Sequence, residues 1–107
     1  MTIPAPSFRC ELRRDNGSAT VVVDGELEEI SAVQLARACL QARDTTGDLT
    51  LDLGGVDFAD GTGVKMLATL HEAFERSGHS MIVVNPPRCV QREVKALDLD
   101  RVLHIPA

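Results

Sequence analysis

Tryptophan and tyrosine are absent and phenylalanine occurs only 3 times in 107 residues. The core must therefore come from Leu, Val, Ile and Ala, and nucleic-acid bases would find no aromatic platform on which to stack. Cations are outnumbered: 11 Lys and Arg against 16 Asp and Glu leave a net charge of −5, and no run of basic residues follows a phosphate backbone. Nucleic acid is thus not an expected partner. Met1 to Cys10 hold two prolines and no continuous apolar run, so neither a secretory signal nor direct membrane insertion is expected there, and the expected location is the cytoplasm. Cysteines are few, odd in number and widely spaced (Cys10, Cys39, Cys89) without a CxxC pair. That pattern suits reduced thiols filling core volume rather than a disulfide framework or a zinc site.

What is present is ordinary for a folded domain, with 44% hydrophobic and 25% charged residues. The chain length allows one hydrophobic core, so a single domain over 1–107 is expected, with Met1 to about Ser7 as a loose terminus.

Phe8, Cys10 and Leu12 alternate with Arg9, Glu11 and Arg13, the period of a half-buried strand. Asp15-Asn16-Gly17 then offers turn chemistry before Thr20–Val23, which predicts a β-hairpin. Ser31 and Gln34 have capping-box spacing, and Ile30, Val33, Ala36, Cys39 and Leu40 recur at helical spacing, predicting a helix over about Ser31–Arg43 that breaks at Thr45-Thr46-Gly47. Leu49, Leu51 and Leu53, with Val56 and Phe58 beyond Gly54-Gly55, read as a strand with a bulge. Val64, Leu67, Ala68, His71 and Phe74 predict a second helix, with Gly78 at its C-terminal cap. Met81–Val84 is apolar without alternation, as in a central strand covered on both faces. Asn85-Pro86-Pro87 opens a third helix carrying Val90, Val94 and Leu97, and Leu99 with Val102–Ile105 reads as a turn and an edge strand. The expected fold is α/β, a small mixed and largely parallel sheet with helices packed against it.

In such sheets functional loops gather beyond the carboxyl ends of the parallel strands, which directs attention to Ala59-Asp60-Gly61-Thr62-Gly63. Two glycines bracket a hydroxyl at a helix start, where free amides and the helix dipole favour an anion. Either Asp60 or Thr62 caps this helix, or Thr62 carries chemistry of its own. The glycines fit neither a phosphate-binding Walker loop nor a dinucleotide fingerprint, because Lys65 follows Gly63 by two positions and Gly61-Thr62-Gly63 continues as Val64-Lys65-Met66. Lys65 is expected on the solvated side of the helix. Asp24, Glu26, Glu28 and Glu29 form an acidic group expected in a loop after the second strand, without a neighbouring nucleophile or histidine. His71, His79 and His104 are scattered, with no metal-ligand spacing on one element. Neither a catalytic set nor a cofactor site is assembled.

The ordered set Gly25-Glu26-Leu27-Glu28, Leu49 to Val56, Asp60-Gly61-Thr62-Gly63-Val64, Asn85-Pro86-Pro87 and Leu97 to Leu103 resembles the STAS domain of bacterial anti-sigma-factor antagonists and sulphate-transporter tails, over about Val21 to Ile105. The resemblance implies a non-enzymatic regulatory protein whose partner is an anti-sigma factor acting as a serine-threonine protein kinase, with Thr62 at the phosphorylated position. It implies a partner surface of Glu26, Glu28, Asp60, Gly61, Gly63, Lys65 and Thr69, and it leaves homodimer formation open. Three residues depart from the family pattern: Gly61 for the first serine, Thr62 for the acceptor serine, and Glu28 for aspartate. Threonine acceptors resemble those of stressosome scaffolds, and short threonine-bearing STAS subunits also occur in lipid-transport ABC complexes. An accessory transporter subunit and an unmodified signalling scaffold are therefore the alternatives.

Overall fold

Residues 8–105 are described by a computed structural model of the chain; the loose terminus expected over Met1 to about Ser7 lies outside them. The alternation at the start gives the expected hairpin, β1 (Phe8–Asp15) paired antiparallel with β2 (Ser18–Leu27). Asn16 and Gly17 form its turn at φ 49° and 82°, a pair of left-handed conformations that matches strand twist and that Asn-Gly adopts readily. The chain continues through α1 (Glu29–Thr46), β3 (Leu49–Ala59), α2 (Gly61–Arg76), β4 (Met81–Val84), α3 (Arg88–Ala96) and α4 (Asp100–Leu103). The sheet order is β1-β2-β3-β4, with β2, β3 and β4 mutually parallel. This is the mixed, largely parallel architecture expected.

Burial alternates along the strands. Ala19, Val21, Val23 and Leu27 of β2 and Leu49, Leu51, Leu53, Val56 and Ala59 of β3 are buried, against Leu35, Cys39 and Ala42 of α1, Val64, Leu67, Leu70 and Phe74 of α2, and Val90 and Val94 of α3. Thr20, Val22, Asp24, Glu26, Thr50 and Asp52 between them are half-buried or exposed, so helices cover one face of the sheet and the other meets solvent. The bulge expected near Gly54-Gly55 is present. Val22 pairs with Asp52 but Asp24 with Gly55, and a second extra residue of β3 falls between the Gly25–Val56 and Glu26–Phe58 pairs. Gly78 lies one residue past the α2 cap, Ser77; its amide donates to the Glu75 carbonyl and the His79 amide to that of Phe74, which closes the helix.

Four expectations are corrected. First, α1 begins at Glu29 rather than Ser31, and its buried stripe is Ser31, Ala32, Leu35, Cys39 and Ala42, while Ile30 is 62% and Val33 50% exposed. Two apolar stripes compete on this helix, and the hydrogen bond from Ser31 Oγ to the Glu26 carbonyl (2.7 Å) turns the second one inward. Second, β4 is an edge strand with Ile82 58% exposed, because no further strand lies beyond it among the described residues. Third, Val102–Ile105 is not that strand. Asp100–Leu103 is a helical turn, and His104 at φ 54° ends it, burying Leu103 and Ile105; a four-residue apolar run does not distinguish a strand from a buried helical turn. Fourth, Asp24 and Glu26 belong to β2 and not to a loop.

Cys39 is fully buried. Burial, with a smaller contribution from Cys10, pushes its thiol up from 9.0 to about 12, and partial burial raises Cys10 as well. The folded chain thus holds its proton where the unfolded chain releases it. Stability should be intact below about pH 9 and fall as pH rises from there toward 12. With no tyrosine in the chain, urea melts at pH 8 and pH 10.5 should reveal this loss cleanly, and it should shrink in Cys39→Ala.

Candidate partner-binding site

The parallel strands β2 and β3 end level with each other, Leu27 opposite Ala59. The next residue on each strand begins a helix. Glu28 caps α1: its side chain accepts from the Ser31 amide at 3.2 Å while Ser31 Oγ accepts from the Glu28 amide at 2.8 Å. The box expected from Ser31 and Gln34 is therefore shifted by three residues, with Glu28 as the cap and Ser31 as its reciprocal partner. Asp60 caps α2, its Oδ1 accepting from the Gly63 amide at 2.8 Å, and its own amide donates to the Leu27 carbonyl at 3.1 Å. Two carboxylates thus stand at two adjacent helix starts, each held by the free amides and favourable dipole there.

Asp60 fills the capping role, which frees Thr62. Thr62 is the second residue of α2 and exposed, and its hydroxyl makes no hydrogen bond among the described residues. Gly63 is buried, and a Cβ there would lie 2.5 Å from the Leu27 carbonyl oxygen. Only a residue without a side chain allows α2 to start this close to β2. The outward face of α2 continues through exposed Lys65 and Thr69, the latter donating from Oγ1 to the Lys65 carbonyl at 3.2 Å. Positions 62, 65 and 69 share one face of the helix.

Of the other residues singled out in the sequence, Glu26 is exposed on β2 opposite Phe58, itself 49% exposed, and Gly61 faces Glu93 and Leu97 of the α3 segment across ordinary contact distance. Phe58 and Ile30 are exposed apolar residues that sequence patterning assigned to strand and core. Their exposure follows from the second bulge of β3 and the rotation of α1, neither of which has a local signal. His71 is buried, 5.8 Å from the His104 ring centre to centre. Among the described residues no group of three or more His, Cys, Asp or Glu side chains could hold a metal ion, and no helix is long and apolar enough to cross a membrane.

The two acidic positions should separate in experiment. Glu28→Ala removes a cap and should cost about 1 kcal/mol of stability, read by urea denaturation. The Glu26 side chain makes no hydrogen bond or ion pair among the described residues, so Glu26→Lys should leave stability within about 0.5 kcal/mol while weakening capture of a partner.

The family described as "Mlab, STAS domain" matches residues 10–105. The chain belongs to the STAS-domain family. An anti-sigma factor antagonist from Mycobacterium paratuberculosis is 26% identical over 94% of this STAS domain and 87% of that chain, with a TM-score of 0.78. A RsbS variant from Moorella thermoacetica is 16% identical over 92% and 84%, at a TM-score of 0.70. The unphosphorylated anti-sigma factor antagonist SpoIIAA is 20% identical over 92% and 100%, at 0.64. No curated protein is similar enough to this STAS domain to count as a match.

Proposed function

We propose that this STAS domain is an anti-sigma-factor antagonist, a protein-binding switch that engages an anti-sigma kinase when unmodified and is released when Thr62 is phosphorylated. The observation that carries this reading is the division of labour at the start of α2. Asp60 makes the cap bond, and Thr62 stands exposed with its hydroxyl unengaged, so a structural reason for the hydroxyl is removed and a kinase can reach it. The similarity to the mycobacterial antagonist supports the same reading. The domain acts as substrate. ATP and magnesium belong to the kinase, whose own charges stabilise the transferring phosphoryl group. Glu26, Glu28, Asp60, Lys65 and Thr69 form the partner surface around the acceptor, with Gly61 and Gly63 letting the helix begin there. Incubation with a candidate anti-sigma kinase and ATP, followed by peptide mass spectrometry, should place one phosphate on Thr62; a phosphate elsewhere, or none, overturns the assignment.

A second reading is favoured by one residue. Threonine in place of serine suits an accessory subunit held permanently on an ABC-type lipid transporter, docking through the same face of α2 without modification. Stable co-purification with a transporter ATPase, unaffected by Thr62→Ala, would support it.

A further inference from the structure

Helix α3 is two-sided. Val90 and Val94 are buried in the core, and Arg88, Gln91, Arg92 and Lys95 line one open depression of about 430 Å³ on the other side. Arg88, Arg92 and Lys95 stand at i, i+4 and i+7, one stripe along the helix. None of them forms an ion pair among the described residues, whereas Arg13, Arg43 and Arg76 each have a carboxylate partner. The other cations without a carboxylate partner, Arg9 and Arg14 on β1, Arg37 on α1, Lys65 on α2 and Arg101 on α4, are spread over four elements. The nearest acidic residue in sequence, Glu93, is half-buried on the side of α3 that faces Gly61. Three of the eleven cations of an acidic protein therefore stand together on one helix face without neutralisation.

We infer that this stripe is a second docking surface, built to take an acidic segment of a partner protein. Cations that repel one another at this spacing are stabilised by carboxylates arriving from outside. The rise from Arg88 to Arg92, about 6 Å along the helix axis, is close to the spacing of alternate side chains on an extended segment, about 6.6 Å. A polynucleotide is disfavoured because the footprint is short, carries no aromatic side chain and belongs to a chain of net charge −5. A lipid surface is disfavoured because the apolar side of α3 is already buried in the core. This surface lies on a different helix from Thr62 and does not depend on the proposed switch.

The probe is a fluorescein-labelled dodecapeptide alternating glutamate and serine, titrated by anisotropy against the full chain at low and physiological salt. The glutamate peptide should bind, weaken with salt, and lose about tenfold or more in affinity to Arg92→Glu/Lys95→Glu, while Arg37→Glu/Arg101→Glu binds as the parent does. Should the charge-reversed variant fail to fold by circular dichroism, Arg92→Gln/Lys95→Gln is read instead, with a smaller loss in the same direction. Equal binding of a glutamine-serine peptide overturns the proposal, as does unchanged affinity in the stripe variants. Binding of a single-stranded dodecanucleotide or of phosphatidylglycerol vesicles through the stripe as tightly as the peptide overturns it in favour of those partners. Stripe-dependent self-association in sedimentation overturns it in favour of a second copy.

Discussion

Phosphorylation of Thr62 should lower affinity for the partner kinase about a hundredfold, since a bulky dianion on this helix face blocks close packing and is costly to desolvate in an interface, and each 1.4 kcal/mol is a factor of ten. The modification adds about −1.5 to −2 charges and three acceptor oxygens. It does so at the second position of α2, where the amides of Gly61 and Thr62 have no intrahelical acceptor and can hold the group. The fold should therefore be conserved. What changes is the outer face, where the dianion joins Asp60 and Glu28 at the paired helix starts and exposed Glu26 beside them. Thr62→Ala should fold as well as the parent, because the hydroxyl has no bond to lose and alanine is the better helix former; it should bind constitutively and accept no phosphate. Thr62→Glu should reproduce only part of the release, having one charge and a planar group. Titration of both forms against the purified partner decides the matter. Equal affinities would sink the switch and move the transporter-subunit reading into first place.

Gly63→Ala should be the most damaging single methyl at this site. The new Cβ would lie 2.5 Å from the Leu27 carbonyl oxygen and 2.8 Å from both the Leu27 carbonyl carbon and Cγ. The first two belong to backbone inside the sheet, which cannot swing away. Relief requires the start of α2 to move about 1 Å from β2 to restore ordinary contact, stretching the 3.1 Å bond from the Asp60 amide to the Leu27 carbonyl. The expected cost is about 2 to 3 kcal/mol, a fall in Tm of roughly 10 °C or more. Gly61→Ala is the internal control. Its Cβ would meet only Glu93 Oε2 at 3.8 Å and Leu97 Cδ1 at 3.9 Å, so its melting curve should stay close to the parent's. Similar melting temperatures for the two variants would show that the approach of α2 to β2 is not tight.

The sequence by itself determined what depends on near neighbours in the chain. The Phe8, Cys10, Leu12 alternation and the Asn16-Gly17 pair specify the hairpin, because side-chain period and turn conformation are local properties. The apolar repeat from Val64 to Phe74 specifies α2, and the ordered motifs around Asp60-Gly61-Thr62-Gly63 pointed to the family and to the helix start where Thr62 sits. Other features depended on contacts between distant segments. Which of two stripes on α1 turns inward was decided by Ser31 bonding back to Glu26, and whether Met81–Val84 lies at the centre or edge was decided by the last segment curling into α4. Whether Asp60 or Thr62 caps α2 followed from the aspartate geometry set by its amide bond to Leu27. The close approach at Gly63 and the side-by-side caps Glu28 and Asp60 exist only in three dimensions. Each needs two elements brought to a fixed distance, and pattern along a chain does not encode that.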